Sequence, residues 1–171
     1  MNSNVKKLTL AGLLIALGVA CSTFAIPIGA SRCFPIQHMV NVLAAVLLGP
    51  AYGVGMAFAT SLLRIAMGTG SLLAFPGSMV GALCCGLVYR ATKNLPATFV
   101  GEVFGTGVLG GLLAYPVAAF VMGKEAALFA YVVPFLVSSV GGALIAVLIL
   151  AALSKTGLLK TLLPAQGGKQ G

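Results

Sequence analysis

The chain has 171 residues, of which 60% are hydrophobic and 7% charged, against about 25% charged residues in a soluble domain. Water could not solvate such a surface, which excludes a soluble enzyme. The net charge of +8 does not make a nucleic-acid binder either, because Lys6, Lys7, Arg90, Lys93, Lys155, Lys160 and Lys169 flank apolar runs or lie in the tails, where they act as orientation markers.

Lys6 and Lys7 precede an apolar run from Leu8 to Ala25. It resembles a signal-peptide core but continues into further spans, so it is expected to stay in the mature protein as the first membrane helix. A loop from Ile26 to Pro35 follows, with Pro27, Gly29, Arg32 and Pro35. The second span, Ile36 to Leu48, is short: at about 1.5 Å per residue it covers about 20 Å of a hydrocarbon core about 30 Å thick. Gly49-Pro50 then makes a tight turn, since Pro cannot continue the incoming helix and suits the first turn of the next. The third span runs from Ala51 to Met67, a second loop from Gly68 to Gly77, and the remaining spans from Pro76 to Thr92, Ala97 to Val121 and Ala127 to Ser154. With no polar linker or low-complexity tract, residues 1–171 are expected to form one all-α domain, a polytopic bundle of six transmembrane helices in the cell membrane.

Charge decides whether the short segment crosses. With six spans and a cytoplasmic N-terminus, the seven marker cations lie inside, while Arg32, Arg64 and Lys124 lie outside. If the short segment does not cross, Lys6, Lys7, Arg64 and Lys124 are inside and the other six outside. The positive-inside rule favours six spans with both termini cytoplasmic, and it puts the two longer loops on the outer side, over a lidded pocket.

Small residues recur at helix-packing spacing: Gly12, Ala16 and Ala20 on the first span, Ala51, Gly55 and Ala59 on the third, Gly101 and Gly105 on the fifth. Each row serves either packing within the bundle or close approach of a partner helix. Cys21, Cys84 and Cys85 lie in apolar runs and Cys33 in a loop, so all four are expected to be packing residues without a disulfide or metal role. Ionisable groups within a membrane are costly, which singles out His38, Arg64 and Glu102. His38 and Asn41 are about one turn apart, on one face of the second span, and Arg64 nears the outer end of the third. Arg64 either snorkels to the headgroups or joins His38 and Asn41 in a polar cluster that orients a ligand. Glu102 is expected to pair with Arg90 or Lys93. The loop from Gly68 to Ser78, with Phe75 its one aromatic, has the mix of apolar wall and few polar groups that a ligand pocket uses.

The runs Cys33-Phe34-Pro35-Ile36-Gln37-His38-Met39-Val40-Asn41, Leu48-Gly49-Pro50 and Gly68-Thr69-Gly70-Ser71-Leu72-Leu73-Ala74-Phe75-Pro76-Gly77-Ser78-Met79 resemble the ThiW-type substrate-binding S components of energy-coupling factor (ECF) transporters. The likeness extends over nearly the whole chain. It implies a six-helix S component that captures a thiamine precursor, the thiazole moiety 5-(2-hydroxyethyl)-4-methylthiazole, from outside, with thiamine, a phosphorylated thiazole or another vitamin as alternatives. It also implies partners: a transmembrane coupling protein and a pair of ATPases, docked through small residues of the first helix. The matching positions are Gly12 and Ala16, with Ala20 one turn on, so glycine replaces the first alanine of the family's Ala-xxx-Ala signature. A thiazole would stack on aromatic rings such as Phe34, Phe75 or Tyr115, with Tyr131 a further wall; His38, Asn41 and Ser78 would meet its polar atoms, and Arg64 would donate to the ring nitrogen or brace the loop.

No Gly-x4-Gly-Lys-Ser/Thr run is present, so no cofactor is expected in this chain and ATP would be used by the partner subunits. Two rival classes are weaker. An intramembrane hydrolase using Ser78 and His38 lacks a Gly-x-Ser-x-Gly elbow, paired aspartates or a His-Glu-x-x-His site. A self-standing proton-coupled carrier would have Glu102 as its only intramembrane acid and shows no inverted repeat.

Overall fold

The computed structural model describes residues 3–28, 31–125 and 127–159. Among them six helices follow one another: α1 (Ser3–Ala20, extended by a 3-10 turn, Cys21–Thr23), α2 (Pro35–Leu47), α3 (Pro50–Ala66), α4 (Ala74–Thr92), α5 (Leu95–Val121) and α6 (Val132–Lys155). The fold is all-α apart from a short antiparallel hairpin between α1 and α2, β1 (Ile26–Ile28) and β2 (Ser31–Cys33), with Pro27 opposite Arg32. A plain loop was expected there; its Gly29 lies outside the described residues, as do Lys160 and Lys169.

The punctuation behaves as the residue types require. Pro35 and Pro50 open α2 and α3, and Gly49 takes φ +93° in the turn between them, a conformation that only glycine adopts without strain. Asn94 caps α5 by accepting from the Ala97 amide, satisfying one of the first-turn donors. The sixth helix begins at Val132, later than the expected Ala127, because Leu128–Tyr131 form a turn.

Helices long and apolar enough to cross a membrane are α1 with its 3-10 turn, α4, α5 and α6. The chain is a multi-pass membrane protein. The short α2 is the central element. Every residue from Gln37 to Leu47 is buried, as befits a helix with protein rather than lipid on all sides. Its neighbours are α1, α3, α4, α5 and α6. The large apolar side chains that remain exposed, such as Leu8, Phe104, Phe120 and Leu148, lie on the surrounding helices.

Glycines bring α4, α5 and α6 together. A Cβ at Gly110 would come within 2.7 Å of the Gly77 Cα, and one at Gly105 within 2.7 Å of the Cys84 Cβ. Part of α5, Val103–Gly110, is wound as a π-helix, and its glycines face α4 and α6. The Gly101/Gly105 row therefore packs inside the bundle. Gly12 and Gly55 have nothing within 4 Å, and Gly12, Ala16 and Ala20 lie on an exposed face of α1.

Gly110→Val is expected to lower the melting point of the detergent-solubilised protein by the equivalent of about 1–3 kcal/mol, the usual cost of overpacking. Gly12→Val, which meets open space, should leave the melting point unchanged. Equal melting of the two variants would mean that α4 and α5 are not in close contact.

Candidate functional site

Consecutive helices alternate in direction, and one end of the bundle gathers the C-terminal ends of α1 and α3, the N-terminal turns of α2, α4 and α6, the hairpin and the 68–73 loop. The pieces are tied together there. The Ser22 and Thr69 hydroxyls are 2.9 Å apart, joining the end of α1 to the loop. The Phe34 amide donates to Ser138 Oγ at 2.7 Å, and Cys33 Sγ donates to the Pro134 carbonyl at 3.0 Å, joining the hairpin to α6. Burial pushes the Cys33 thiol above its ordinary pKa, which keeps it a protonated donor.

Two adjoining cavities open at this end. The inner one, about 40 Å³, is lined by Phe34, Gln37 and His38 before and on α2, Arg64 on α3, Ala74, Gly77 and Ser78 on α4, and Phe135 and Ser138 on α6. By volume it has room for a few waters. The outer one, about 370 Å³, lies between the hairpin and the 68–71 loop and includes Lys124. Ser31, Arg32, Phe34, Ser71 and Leu73 line both and form the neck between them. The Arg64 guanidinium lies 3.7 Å from the Phe34 ring centroid, within cation–π range.

Behind the inner cavity runs a buried polar network. Arg64 Nη1 donates to Gln37 Oε1, and Gln37 Nε2 donates to Ser61 Oγ at 3.2 Å. Ser61 Oγ and Ser78 Oγ are 3.1 Å apart. Asn41 Nδ2 lies within hydrogen-bond reach of both the Ser78 carbonyl, at 3.1 Å, and Glu102 Oε1, at 3.2 Å. The same carboxylate oxygen meets His38 Nδ1 at 2.9 Å and accepts from Thr106 Oγ1 at 3.0 Å. Glu102 is fully buried, and a Cβ at Gly81 would stand 3.0 and 3.1 Å from its two oxygens. Glycine at position 81 thus makes the room that the carboxylate occupies.

Glu102 therefore corrects its expected pairing. Arg90 and Lys93 are exposed at the far end of α4, while Glu102 points inward to His38 on α2. Arg64 does not snorkel and His38 is not interfacial: they are 1% and 7% exposed, because α2 and the inner face of α3 pack against protein.

Of the residues singled out for a ligand, Phe34, His38, Arg64 and Ser78 line the inner cavity. Asn41 stands one layer behind it, bonded to Ser78 and Glu102. Phe75 lines neither cavity and packs against Phe58, ring centroids 5.4 Å apart. Tyr131 is buried beside Phe135, at 6.4 Å, and so backs a wall residue instead of forming the wall. Tyr115 lines neither cavity: its neighbour Ala114 takes the buried face of α5, and successive helical residues point about 100° apart. Gln37, Ser138, Phe135 and Arg32 were not singled out. Gln37 sits inside the quoted Phe-Pro-x-Gln-His run, and Ser138 is a hydroxyl one turn from Phe135 in an otherwise apolar span; both were readable signals.

These features define a class: a multi-pass helical membrane protein with a polar cavity at one end of its bundle. The family model described as "Thiamine-precursor transporter protein (ThiW)" matches residues 8–156, and the chain belongs to that ThiW family of transporters. Among curated proteins and among solved structures, none matches it.

Glu102→Leu should leave the donors of Asn41 and Thr106 without their shared acceptor, costing about 3 kcal/mol or more in stability. Glu102→Gln, which keeps an acceptor oxygen, should cost less. Thermal melting of both variants checks this, and a Leu variant as stable as the parent would refute the role of Glu102 as the centre of the network.

Proposed function

We propose that the chain is the substrate-binding S component of an ECF-type transporter, capturing hydroxyethylthiazole from outside the cell for uptake driven by partner ATPases. The observation that carries this reading is the inner cavity itself, where the Phe34 and Phe135 rings stand beside Gln37, His38, Ser78 and Ser138. A thiazole offers a ring to stack and a few hydrogen-bonding atoms to orient, and such a lining supplies both. The volume of the inner cavity alone is small, so the ligand would extend through the neck into the outer one.

The six-crossing topology supports outward capture. The first helix begins and the last ends at the opposite end from the cavity, and among the described residues Lys6, Lys7, Arg90, Lys93 and Lys155 fall at that end against Arg32, Arg64 and Lys124 at the other. The positive-inside rule then makes the termini cytoplasmic. The burial of α2 on all sides removes the objection from its length, since it need not cross lipid unaided. Without a phosphate-cradling loop in its sequence, the chain needs an ATPase partner. The exposed Gly12, Ala16 and Ala20 face of α1 suits close approach by a coupling protein.

Calorimetry on the purified protein should show binding of hydroxyethylthiazole and weaker or no binding of thiamine and riboflavin. Ser78→Ala and Phe34→Ala should each weaken thiazole binding about tenfold or more. A protein that melts cooperatively and binds no thiazole would refute the substrate. Ala16→Trp should block co-purification with the coupling protein and ATPases while sparing ligand binding. Loss of both together would place Ala16 in the bundle's own packing.

A further inference from the structure

Arg64 carries a charge that nothing in the bundle neutralises. It is 1% exposed, and its partners are Gln37 Oε1 and the face of Phe34. Its Nε and Nη2 are buried and, among the described residues, without any acceptor. The chain has two acidic residues. Glu102 is held by His38, Asn41 and Thr106, and Glu125 is exposed. A buried charge without a counter-ion is strongly destabilising, and it persists where the ligand supplies what the protein withholds.

The other cations point the same way. Arg32 lines both cavities and Lys124 the outer one, while no carboxylate lines either among the described residues. These two and Arg64 are the three cations that break the positive-inside pattern. All three converge on one pair of cavities, so the departure from the topology rule has a local cause. A cleft lined by one sign of charge, with apolar walls, concentrates ligands of the opposite sign.

We propose that the transported thiazole carries an anionic oxygen group, a carboxylate or a phosphate monoester, with the Arg64 guanidinium as its counter-ion and Arg32 and Lys124 guiding its entry. This rests on the thiazole reading above and narrows it to an ionic form. The planar guanidinium suits such oxygens because two of its N–H groups can bond them in parallel. Phe34, at the neck, holds the guanidinium from one face, and Arg64 lines the inner cavity, close to an oxyanion seated there.

The test is calorimetry with the full chain and three probes: neutral hydroxyethylthiazole, its phosphate monoester, and the thiazole bearing a carboxylate in place of the alcohol. One of the anionic probes should bind at least about tenfold more tightly than the alcohol, and which one does so identifies the oxyanion. Arg64→Gln should abolish that preference, read as the ratio of anion to alcohol affinity. Arg32→Gln and Lys124→Gln, on the lining of the outer cavity, should slow association of the anion, measured by stopped-flow, and leave melting unchanged. If the alcohol binds as tightly as both anions, or the preference survives Arg64→Gln, the anion inference fails and the thiazole reading stands. If no probe binds to protein that melts cooperatively, the thiazole reading fails and the inference falls with it.

Discussion

Glu102 is a carboxylate without access to water, in a helix long and apolar enough to cross a membrane. In such a setting every polar group must find its partner within the protein. One oxygen of Glu102 meets groups from two helices, His38 and Asn41 of α2 and Thr106 of its own α5, and Asn41 carries the link onward to α4 through the Ser78 carbonyl. This requirement fixes where α2 sits. A thirteen-residue helix is too short to hold its place by matching the bilayer, but one whose first two turns bear Gln37, His38 and Asn41 is held by polar partners on α3, α4 and α5. The central position of α2 follows from what its side chains need.

The glycines are the steric counterpart of that demand. To reach α2, Glu102 must pass close to α4, and Gly81 makes the passage possible because any Cβ there would crowd the carboxylate and Thr106. Gly77 gives space to the Phe135 ring, and Gly142 lies against the start of α2, close to the His38 Cβ. In lipid, where burial of apolar surface against a neighbouring helix gains little over burial against acyl chains, close backbone approach and interhelical hydrogen bonds carry much of the association. At Gly81, beside Glu102 and Thr106, and at Gly142, beside His38, the two occur at the same places.

The helix boundaries were largely legible because they depend on local properties. Apolar length, Pro at the first turn and Gly at the turns placed four of the six helix starts within two residues; the exceptions were α1, which begins earlier, at Ser3, because its first turns carry the polar residues that lead into the apolar run, and α6, which begins later, at Val132, after the Leu128–Tyr131 turn. The partner of Glu102 was not legible. Arg90 and Lys93 are near in sequence, and His38 is 64 residues away; the choice turns on which face of α5 is buried, a matter of long-range packing. The aromatic wall was read in part for a similar reason. Phe34 and Phe75 both stand in the runs that carry the family resemblance, but only Phe34 lines the cavity, Phe75 packing on Phe58 instead; Tyr115 was selected by chemistry alone, and helix rotation carries it elsewhere.

The two buried charges, Arg64 and Glu102, are opposite in sign and belong to one network, yet they do not pair. Gln37, Ser61, Ser78 and Asn41 stand between them. Direct pairing would neutralise both and leave the inner cavity without the charge of Arg64. Separation by neutral amides and hydroxyls lets each charge serve a different need: Glu102 consolidates the helices through three partners on Oε1, its Oε2 having none among the described residues, while Arg64 lines the cavity with Nε and Nη2 unpartnered. The same dipoles hold the guanidinium in place, through Gln37, without cancelling its charge. Polar contacts that position a group and leave its charge uncompensated belong to a site prepared for something from outside the chain. A purely structural arginine would have been matched within the fold.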